Sequence, residues 1–423
     1  MSNIFIGVEG AKGHIFPMLM LIKQLSKNHS LVCMTERIHK EAVEKAGAKF
    51  IGMPLAFDPK GAKLYDFHPE LKSLTGIKQI EFYINERFLK MTLPSIELIN
   101  ELRNEFIPDL YISCPCTYAP IYLSEKFNKP GLVFHMLPLG IPSKDHAPFG
   151  TGELPSNSRL SKIKYKILNH IIAKHIFKST LKKANRIRKE VEIKPYANFF
   201  YDFYDNPDKV LATSIPEFDY YRSDLPSSIE YIGPILPTKS NDFITPKWWP
   251  ELDSGKKIVL VNQGTLSMDI SDLILPTIEA LRNEDCIVIA VPVKEEIKDL
   301  PDNVRISEFV PFASLLPHVD IMITNGGFGA TQMALAHGIP LILGGNTVDD
   351  KMEISARVAY TGCGIDLKSQ KTKSSAIKKA CDQINSDGNF KENAMKMKKV
   401  IASYNPIKKA NSIIEELLEK SLA

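Results

Sequence analysis

Apolar positions along this chain come mostly in short unbroken runs, and each run is followed by a segment whose apolar residues recur at helical spacing. Asn3 to Glu9 is the first run, followed by the loop Gly10-Ala11-Lys12-Gly13 and a helix from about His14 to Lys27, with Pro17 tolerated in its first turn. A strand (Ser30 to Met34), a helix (Arg37 to Ala46) and a strand (Lys49 to Met53) follow at short intervals. After a long helical region from Ile77 to Glu105 come a strand Leu110 to Ser113, a helix around Pro120 to Phe127 and a strand Gly131 to Met136. This βαβ rhythm predicts an α/β fold, with a doubly wound parallel sheet in the first half.

The pattern dissolves into Pro, Gly and Ser between Pro138 and Pro155, returns with a strand from Asp208 to Thr213, and gives way to prolines up to Asp253. It then restarts: strand Lys257 to Asn262, turn Gln263-Gly264-Thr265, helix Ile270 to Arg282, strand Cys286 to Val291, strand Asn303 to Phe309 and a short helix from Phe312 to Leu316. Four helices between Met352 and Leu418 close the chain. Residues 1–233 therefore form an N-terminal Rossmann-like domain, 234–253 a linker, 254–400 a second Rossmann-like domain and 401–423 a C-terminal helix free to return to the first domain. Two such domains are expected to face each other across a cleft, with ligands at the C-terminal ends of the strands.

The length of 423 residues agrees with two domains, and 44% hydrophobic with 24% charged residues is the composition of a soluble globular protein. A net charge of +4 is mild, and no nucleic-acid partner is expected. The chain starts directly into a strand, and no apolar run reaches the ~18 residues of a membrane span. A cytoplasmic location is the simplest expectation. Six cysteines sit mostly in apolar runs and read as reduced, buried thiols. The close pair Cys114-Pro-Cys116 lacks a second pair or a histidine at zinc spacing, so no metal site is expected.

Two stretches carry more specific chemistry. From Arg159 to Lys189 the chain is basic, with no acid before Glu190, while Leu160, Ile163, Ile167, Ile171, Leu181 and Ile187 fall near helical spacing. Such a helix suits either attachment to an anionic membrane surface or, as the preferred reading, a solvated surface cover over a substrate cleft. From Ile321 to Asp350 a buried strand leads into Asn325-Gly326-Gly327, a helix Phe328 to His337 and a second strand Ile339 to Leu343. Glycines after a strand let the backbone approach a ligand, and a helix N-terminus offers unpaired N–H groups to an anion, so this stretch outlines a phosphate site.

The residues between Val261 and Val358 also stand in a recognisable order. Val261-Asn-Gln-Gly-Thr265, Phe309-Val-Pro311, Leu315-Leu-Pro-His-Val-Asp320, Asn325-Gly-Gly-Phe-Gly329, Ala334-Leu-Ala-His-Gly338-Ile-Pro340 and Asp350-Lys351, with Gly13-His14-Ile-Phe-Pro17 in the first half, resemble the GT-B fold glycosyltransferases of family 1, the UDP-glycosyltransferase and bacterial macrolide glycosyltransferase group. The resemblance implies an inverting transfer of a hexose, most simply glucose, from a UDP-sugar to a hydroxyl of a small lipophilic acceptor such as a phenol or macrolide. A dTDP-sugar is the alternative donor, and neither a cofactor nor a metal is implied.

It also implies roles, residue by residue. His14 stands at the general base, Phe309 where a ring stacks on the nucleotide base, and Val310 where the backbone pairs with the base edge. Gly264, Thr265, Asn325, Gly327, Gly329 and Ala330 stand where the diphosphate is held. Asp350 and Lys351 stand on the donor-sugar hydroxyls, with Asp349 the alternative if the loop shifts by one. Phe82, Phe88, His135 and Leu137 are the expected acceptor contacts. Four positions depart from the pattern: Cys114 where an aspartate usually steadies the histidine, Asn325 for a phosphate-touching histidine, Met333 for a ribose-binding glutamate and Phe312 for a common glutamine. Cys114 or Ser113 would then orient the ring more weakly, another acid would serve, or His14 would act alone. A membrane-surface enzyme acting on a lipid or isoprenoid, and a nucleotide-sugar binding protein without catalysis, are the competing readings.

Overall fold

The computed structural model describes every residue except 63–66, 75, 238–242, 265–268, 294–296, 346–349 and 423. The chain divides into two compact units, Met1–Ile235 with Tyr404–Ala423, and Leu236–Ser403. The first unit carries seven parallel strands, β1 (Asn3–Gly7), β2 (Ser30–Thr35), β3 (Lys49–Gly52), β4 (Leu110–Ser113), β5 (Gly131–His135), β6 (Lys209–Ala212) and β7 (Ile229–Tyr231), in the order β3-β2-β1-β4-β5-β6-β7. Its central strands are largely apolar because both faces are covered, whereas the edge strands β3 and β7 are mostly half-buried. Phe5, Val32, Tyr111 and Val133 pack on one side, whereas Ile4, Ile6, Cys33, Ile112 and Phe134 pack on the other.

The last helix, Pro406–Leu422, returns to this unit, where Ala410, Ile413, Ile414 and Leu418 join the second of these cores. Its polar side is tied down too: Lys409 Nζ donates to the Tyr231 carbonyl at 3.0 Å and Glu415 meets His29 at 2.9 Å. The helix Phe199–Asp205 was not legible as a regular pattern. Asn198 caps it by accepting from the Tyr201 N–H, and Phe199 and Phe203 meet Tyr118 edge-on with centroids 5.8 and 5.1 Å apart.

The second unit holds six parallel strands, β8 (Lys257–Asn262), β9 (Cys286–Val291), β10 (Val304–Ile306), β11 (Ile321–Thr324), β12 (Leu341–Leu343) and β13 (Gly364–Asp366), in the order β10-β9-β8-β11-β12-β13. The strand expected from Asn303 to Phe309 is shorter: beyond Ile306 the Ser307 N–H still bonds the Ala290 carbonyl of β9, but Phe309 is exposed. Part of the expected linker belongs to this unit. Residues Trp249–Asp253 form a helical turn with Leu252 buried and Glu251 Oε1 accepting from Arg305 Nε at 2.9 Å.

The basic stretch is two helices with different fates. Lys178–Val191 packs into the core through Ala184, Ile187 and Val191, and even Arg188 is fully buried. The Arg188 guanidinium lies between the Tyr196 and Tyr122 rings and pairs with Glu125 at 2.5 and 2.9 Å. Arg159–Ile171 instead turns its apolar stripe outward: Leu160 is 80% exposed, Ile163 58%, Ile167 53% and Ile171 41%.

Candidate active site

In the first unit the strand order reverses between β1 and β4, which lie side by side with Gly7 opposite Ser113. Chains leaving two parallel strands at such a reversal part company and leave room between them. After β1 the chain turns into the helix Lys12–Leu25, which starts two residues earlier than expected, so His14 lies in its first turn with its N–H on the Ala11 carbonyl at 2.8 Å. The His14 side chain is largely buried, with 8% of the residue exposed.

After β4 the segment Cys114-Pro-Cys116-Thr117 folds back over the end of β1. The Cys114 N–H donates to the Gly7 carbonyl at 3.0 Å, the Thr117 hydroxyl donates to the same carbonyl at 2.8 Å, and the Glu9 N–H donates to Cys114 Sγ at 3.3 Å. These bonds bring the His14 ring and both thiols together, with one ligating atom from each within 4.8 Å of the others. The sequence offers no histidine at zinc spacing to the Cys114-Pro-Cys116 pair, and the structure brings one to it from elsewhere in the chain. His14 is distant in sequence but adjacent through the β1–β4 pairing.

Cys114 thus lies beside His14, at the position where the resemblance puts an aspartate in other members. Burial opposes its ionisation, yet hydrogen bonds from Cys116 and His14 hold its thiol well below the ordinary range. Cys116 is pushed up by its bond to Cys114 and by burial. Ser113 is not the ring's partner, because its hydroxyl is engaged by the Cys114 and Thr117 carbonyls. Asp109 lies at the other end of the sheet, accepting from the Asn3 N–H at 2.9 Å.

Behind the His14 loop, Arg87 joins two buried carboxylates, with Nε 3.0 Å from Glu9 Oε1 and Nη2 3.1 Å from Glu36 Oε1. One guanidinium cannot neutralise both. Burial, with the Glu9 charge, pushes the Glu36 carboxyl up from 4.5 to about 7. Between those values the folded protein binds more protons than the unfolded chain, so this residue makes stability fall as pH rises from 4.5 through about 7. Glu36→Gln is expected to remove that slope and to stabilise the protein at pH 8 by about 1–3 kcal/mol. Urea unfolding of both proteins at pH 5 and pH 8 measures it, and an unchanged pH difference in the variant would contradict the assignment.

The expected acceptor residues divide. Phe82 and Phe88 are half-buried at the ends of a widened turn in the helical run from Ile77 to Leu102. Phe82 meets His68 edge-on at 5.8 Å, and Phe88 stacks on Tyr83 at 6.1 Å. Leu137 is half-buried as well. His135 does not fit the role. It is 1% exposed, its Nδ1 lies 3.0 Å from the Leu137 carbonyl and its Nε2 2.8 Å from the Tyr204 hydroxyl. Burial lowers its pKa to about 3, so the ring is neutral: Nδ1–H donates to Leu137 and Nε2 accepts from Tyr204. Both nitrogens are spent on the fold, and His135 braces the Leu137 segment instead of meeting a ligand.

The second unit repeats the device. Its strand order reverses between β8 and β11, with Asn262 opposite Thr324, and the two glycine turns follow these residues. Gly264 has φ +74° and Gly326 φ +82°, the left-handed backbone that glycine adopts without strain. A Cβ on Gly326 would stand 3.0 Å from Ser355 Oγ and 3.2 Å from the Lys351 carbonyl, so the Asp350-Lys351 turn lies close against this loop. Asp350 begins the helix Lys351–Tyr360, its carbonyl accepting from the Glu353 and Ile354 N–H groups at 3.0 and 3.1 Å. Asp350 is half-buried and Lys351 buried.

Gly327 precedes the helix Phe328–Ala336, Gly329 and Ala330 lie in its first turn, and a Cβ on Gly327 or Gly329 would meet nothing within 4 Å. Phe309 presents a ring on a residue 69% exposed, beside buried Val310. Asn325 is a departure from expectation. It is 1% exposed and its Nδ2 donates to the Gln263 carbonyl, so it stitches the β8 turn to the β11 turn from below. Thr265 and Asp349 lie outside the described residues. Gln263, read in the sequence only as part of the turn, also has a structural role: its amide donates to the Asp269 carbonyl and accepts from the Ile274 N–H at 3.4 Å.

Residues 272–417 match the family model for the erythromycin biosynthesis protein CIII-like C-terminal domain. The chain is 30% identical over 420 residues to 4'-demethylrebeccamycin synthase of Lentzea aerocolonigenes, covering 99% of this chain and 100% of that protein. It is 26% identical over 433 residues to UDP-glucosyltransferase B1 of Starmerella bombicola, covering 96% of each. The solved spinosyn rhamnosyltransferase SpnG complexed with thymidine diphosphate superposes with a TM-score of 0.68 at 15% identity, covering 98% of this chain and 100% of that one, a likeness of fold.

Proposed function

The chain belongs to the family 1 GT-B glycosyltransferases, and from that premise we propose that it moves a hexose, glucose first, from UDP to a hydroxyl of a small lipophilic acceptor with inversion at the anomeric carbon. His14, in the first helical turn at the β1–β4 reversal, carries this reading. As the acceptor oxygen attacks the anomeric carbon, His14 takes its proton, and the bond from that carbon to the β-phosphate oxygen breaks with its electron pair leaving on UDP. The second unit supplies the donor site. N–H groups at the start of the helix Phe328–Ala336, with Gly264, Thr265 and Gly327 to Ala330, would meet the charge that grows on the diphosphate, and preorganised donors there can serve in place of a metal. The exposed Phe309 ring offers its face to the nucleotide base, the Val310 backbone its edge contacts, and the Asp350 carboxylate two acceptor oxygens for sugar hydroxyls, with Lys351 beside it.

UDP is favoured by the UDP-glucosyltransferase relative, and dTDP is the competing nucleotide, bound in SpnG. Incubation with UDP-glucose or dTDP-glucose and a panel of phenols and macrolide aglycones tests the reading. Transfer accompanied by UDP release supports it; UDP binding with no transfer to any acceptor would leave a nucleotide-sugar binding protein instead.

A second reading concerns where the acceptor is met. The stripe Leu160, Ile163, Ile167 and Ile171 is exposed along one helix, and Arg159, Lys162, Lys166 and Lys174 are exposed around it. Apolar anchors within a basic rim suit an anionic lipid surface, at about 1 kcal/mol per cation near it. No helix among the described residues is long and apolar enough to cross a membrane. Flotation with vesicles is expected to carry the protein when they contain anionic lipid at low salt, and Leu160→Ser with Ile167→Ser to abolish it. Equal flotation with neutral vesicles, or none at all, would remove this reading.

A further inference from the structure

The Cys116 thiol has no part in the proton transfer assigned to His14, yet it stands with Cys114 at the same ring. We propose that His14, Cys114 and Cys116 form a binding site for a thiophilic cation of the zinc type, with a fourth coordination position left open. Among the described residues these three are the group of histidine, cysteine and acidic side chains gathered closely enough to share an ion. Two thiolates and an imidazole are a donor set that selects zinc-type ions over magnesium or calcium, and three protein ligands with an open fourth position are a coordination that zinc adopts in proteins.

The geometry is close to what such an ion needs. Donors around a tetrahedral zinc stand about 3.5–3.8 Å apart, as follows from bonds of about 2.0–2.3 Å. The three atoms here lie within 4.8 Å of one another, so they need draw in by about 1.3 Å at most. Pro115 fixes the backbone φ between the two cysteines. An outer-shell donor is also present: the Glu9 N–H lies 3.3 Å from Cys114 Sγ, a donor of the kind that holds a metal-bound thiolate in place. Binding would expel the thiol protons to solvent, giving a neutral cluster of one divalent cation and two thiolates.

The consequence is regulatory. An imidazole nitrogen that gives its lone pair to the ion cannot also take a proton there, so the bound ion would silence the base assigned to His14. Metal binding itself does not depend on the glycosyl-transfer reading. The test is therefore spectroscopic and needs no sugar: the reduced, chelator-treated protein is titrated with Co2+. Expected are one equivalent bound, visible bands of tetrahedral cobalt, near-ultraviolet thiolate-to-cobalt charge transfer, and loss of all of these on adding Zn2+. Cys116→Ser is expected to weaken binding at least tenfold and diminish the charge-transfer band, and His14→Ala to weaken binding and shift the visible bands, with circular dichroism checking that both fold. Cys286→Ser, whose thiol lies in the other unit, is expected to change nothing. Absence of thiolate charge transfer in the unaltered protein would overturn the proposal even if a variant failed to fold. So would a spectrum unchanged in His14→Ala.

Discussion

Replacing His14 with alanine is expected to lower sugar transfer by about 10²–10⁴-fold while UDP binds as before. The separation follows from placement. His14 belongs to the first unit, whereas Gly264, Phe309, Gly327 and Asp350 all belong to the second. Loss of the imidazole leaves the acceptor hydroxyl without a group to take its proton, and it removes nothing from the nucleotide site. His14→Gln sharpens the result, because glutamine fills similar space and can hydrogen-bond but is not basic. If transfer fails equally in both variants, proton transfer is lost; if glutamine restores it, His14 acts by packing. Calorimetry with UDP and initial rates with the best acceptor give the two readouts. Transfer within tenfold of the unaltered protein in His14→Ala would refute the base assignment.

The sheets were legible in the sequence because parallel strands covered on both faces are written as unbroken apolar runs, such as Ile4-Phe5-Ile6 and Ile321-Met322-Ile323. The edges were not. β7 (Ile-Glu-Tyr) and β13 (Gly-Ile-Asp) each carry a charged residue within three positions, so neither shows an unbroken apolar run. Within the site, local chemistry was readable and cross-chain chemistry was not. The glycine turn after β11 and His14 after β1 announce themselves over a few residues. The approach of Cys114 to His14 was legible only through the family resemblance, and that of Cys116 was not, because both depend on the pairing of β4 with β1, a fact of strand order that no spacing encodes.

Burial misled in the same way. Asn325, just past β11, and His135, the last residue of β5, are polar residues at strand ends, where ligand contacts are expected, and each is bonded to a neighbouring backbone carbonyl. The basic stretch from Arg159 to Lys189 also reads as one amphipathic element. A break between two helices lets one half bury Arg188 while the other leaves Leu160 in solvent.

The glycine turn of the second unit supplies the other large effect, through a contrast between adjacent residues. Gly326→Ala is expected to destabilise the protein by about 1–3 kcal/mol, because the backbone there is left-handed and the new methyl would press on Ser355 and the Lys351 carbonyl. Gly327→Val should be nearly silent for folding. Its φ is −62° with extended ψ, which valine adopts readily, and a Cβ there meets nothing within 4 Å. Stability within about 0.5 kcal/mol of the unaltered protein is therefore expected.

The space that valine enters at Gly327 is the space assigned to the diphosphate at the helix N-terminus, so donor binding should suffer where folding does not. A rise in the KM for UDP-glucose of at least tenfold, about 1.4 kcal/mol, is expected, with a matching loss of UDP affinity. Thermal melting, UDP calorimetry and initial rates distinguish the outcomes. A folded Gly327→Val protein that binds UDP at full strength would place the diphosphate elsewhere. Weak binding in Gly326→Ala alone would mean only that the turn had been deformed. Because the two glycines differ in strain and not in sequence character, only the pair of variants separates a glycine needed for the backbone from one needed for the ligand.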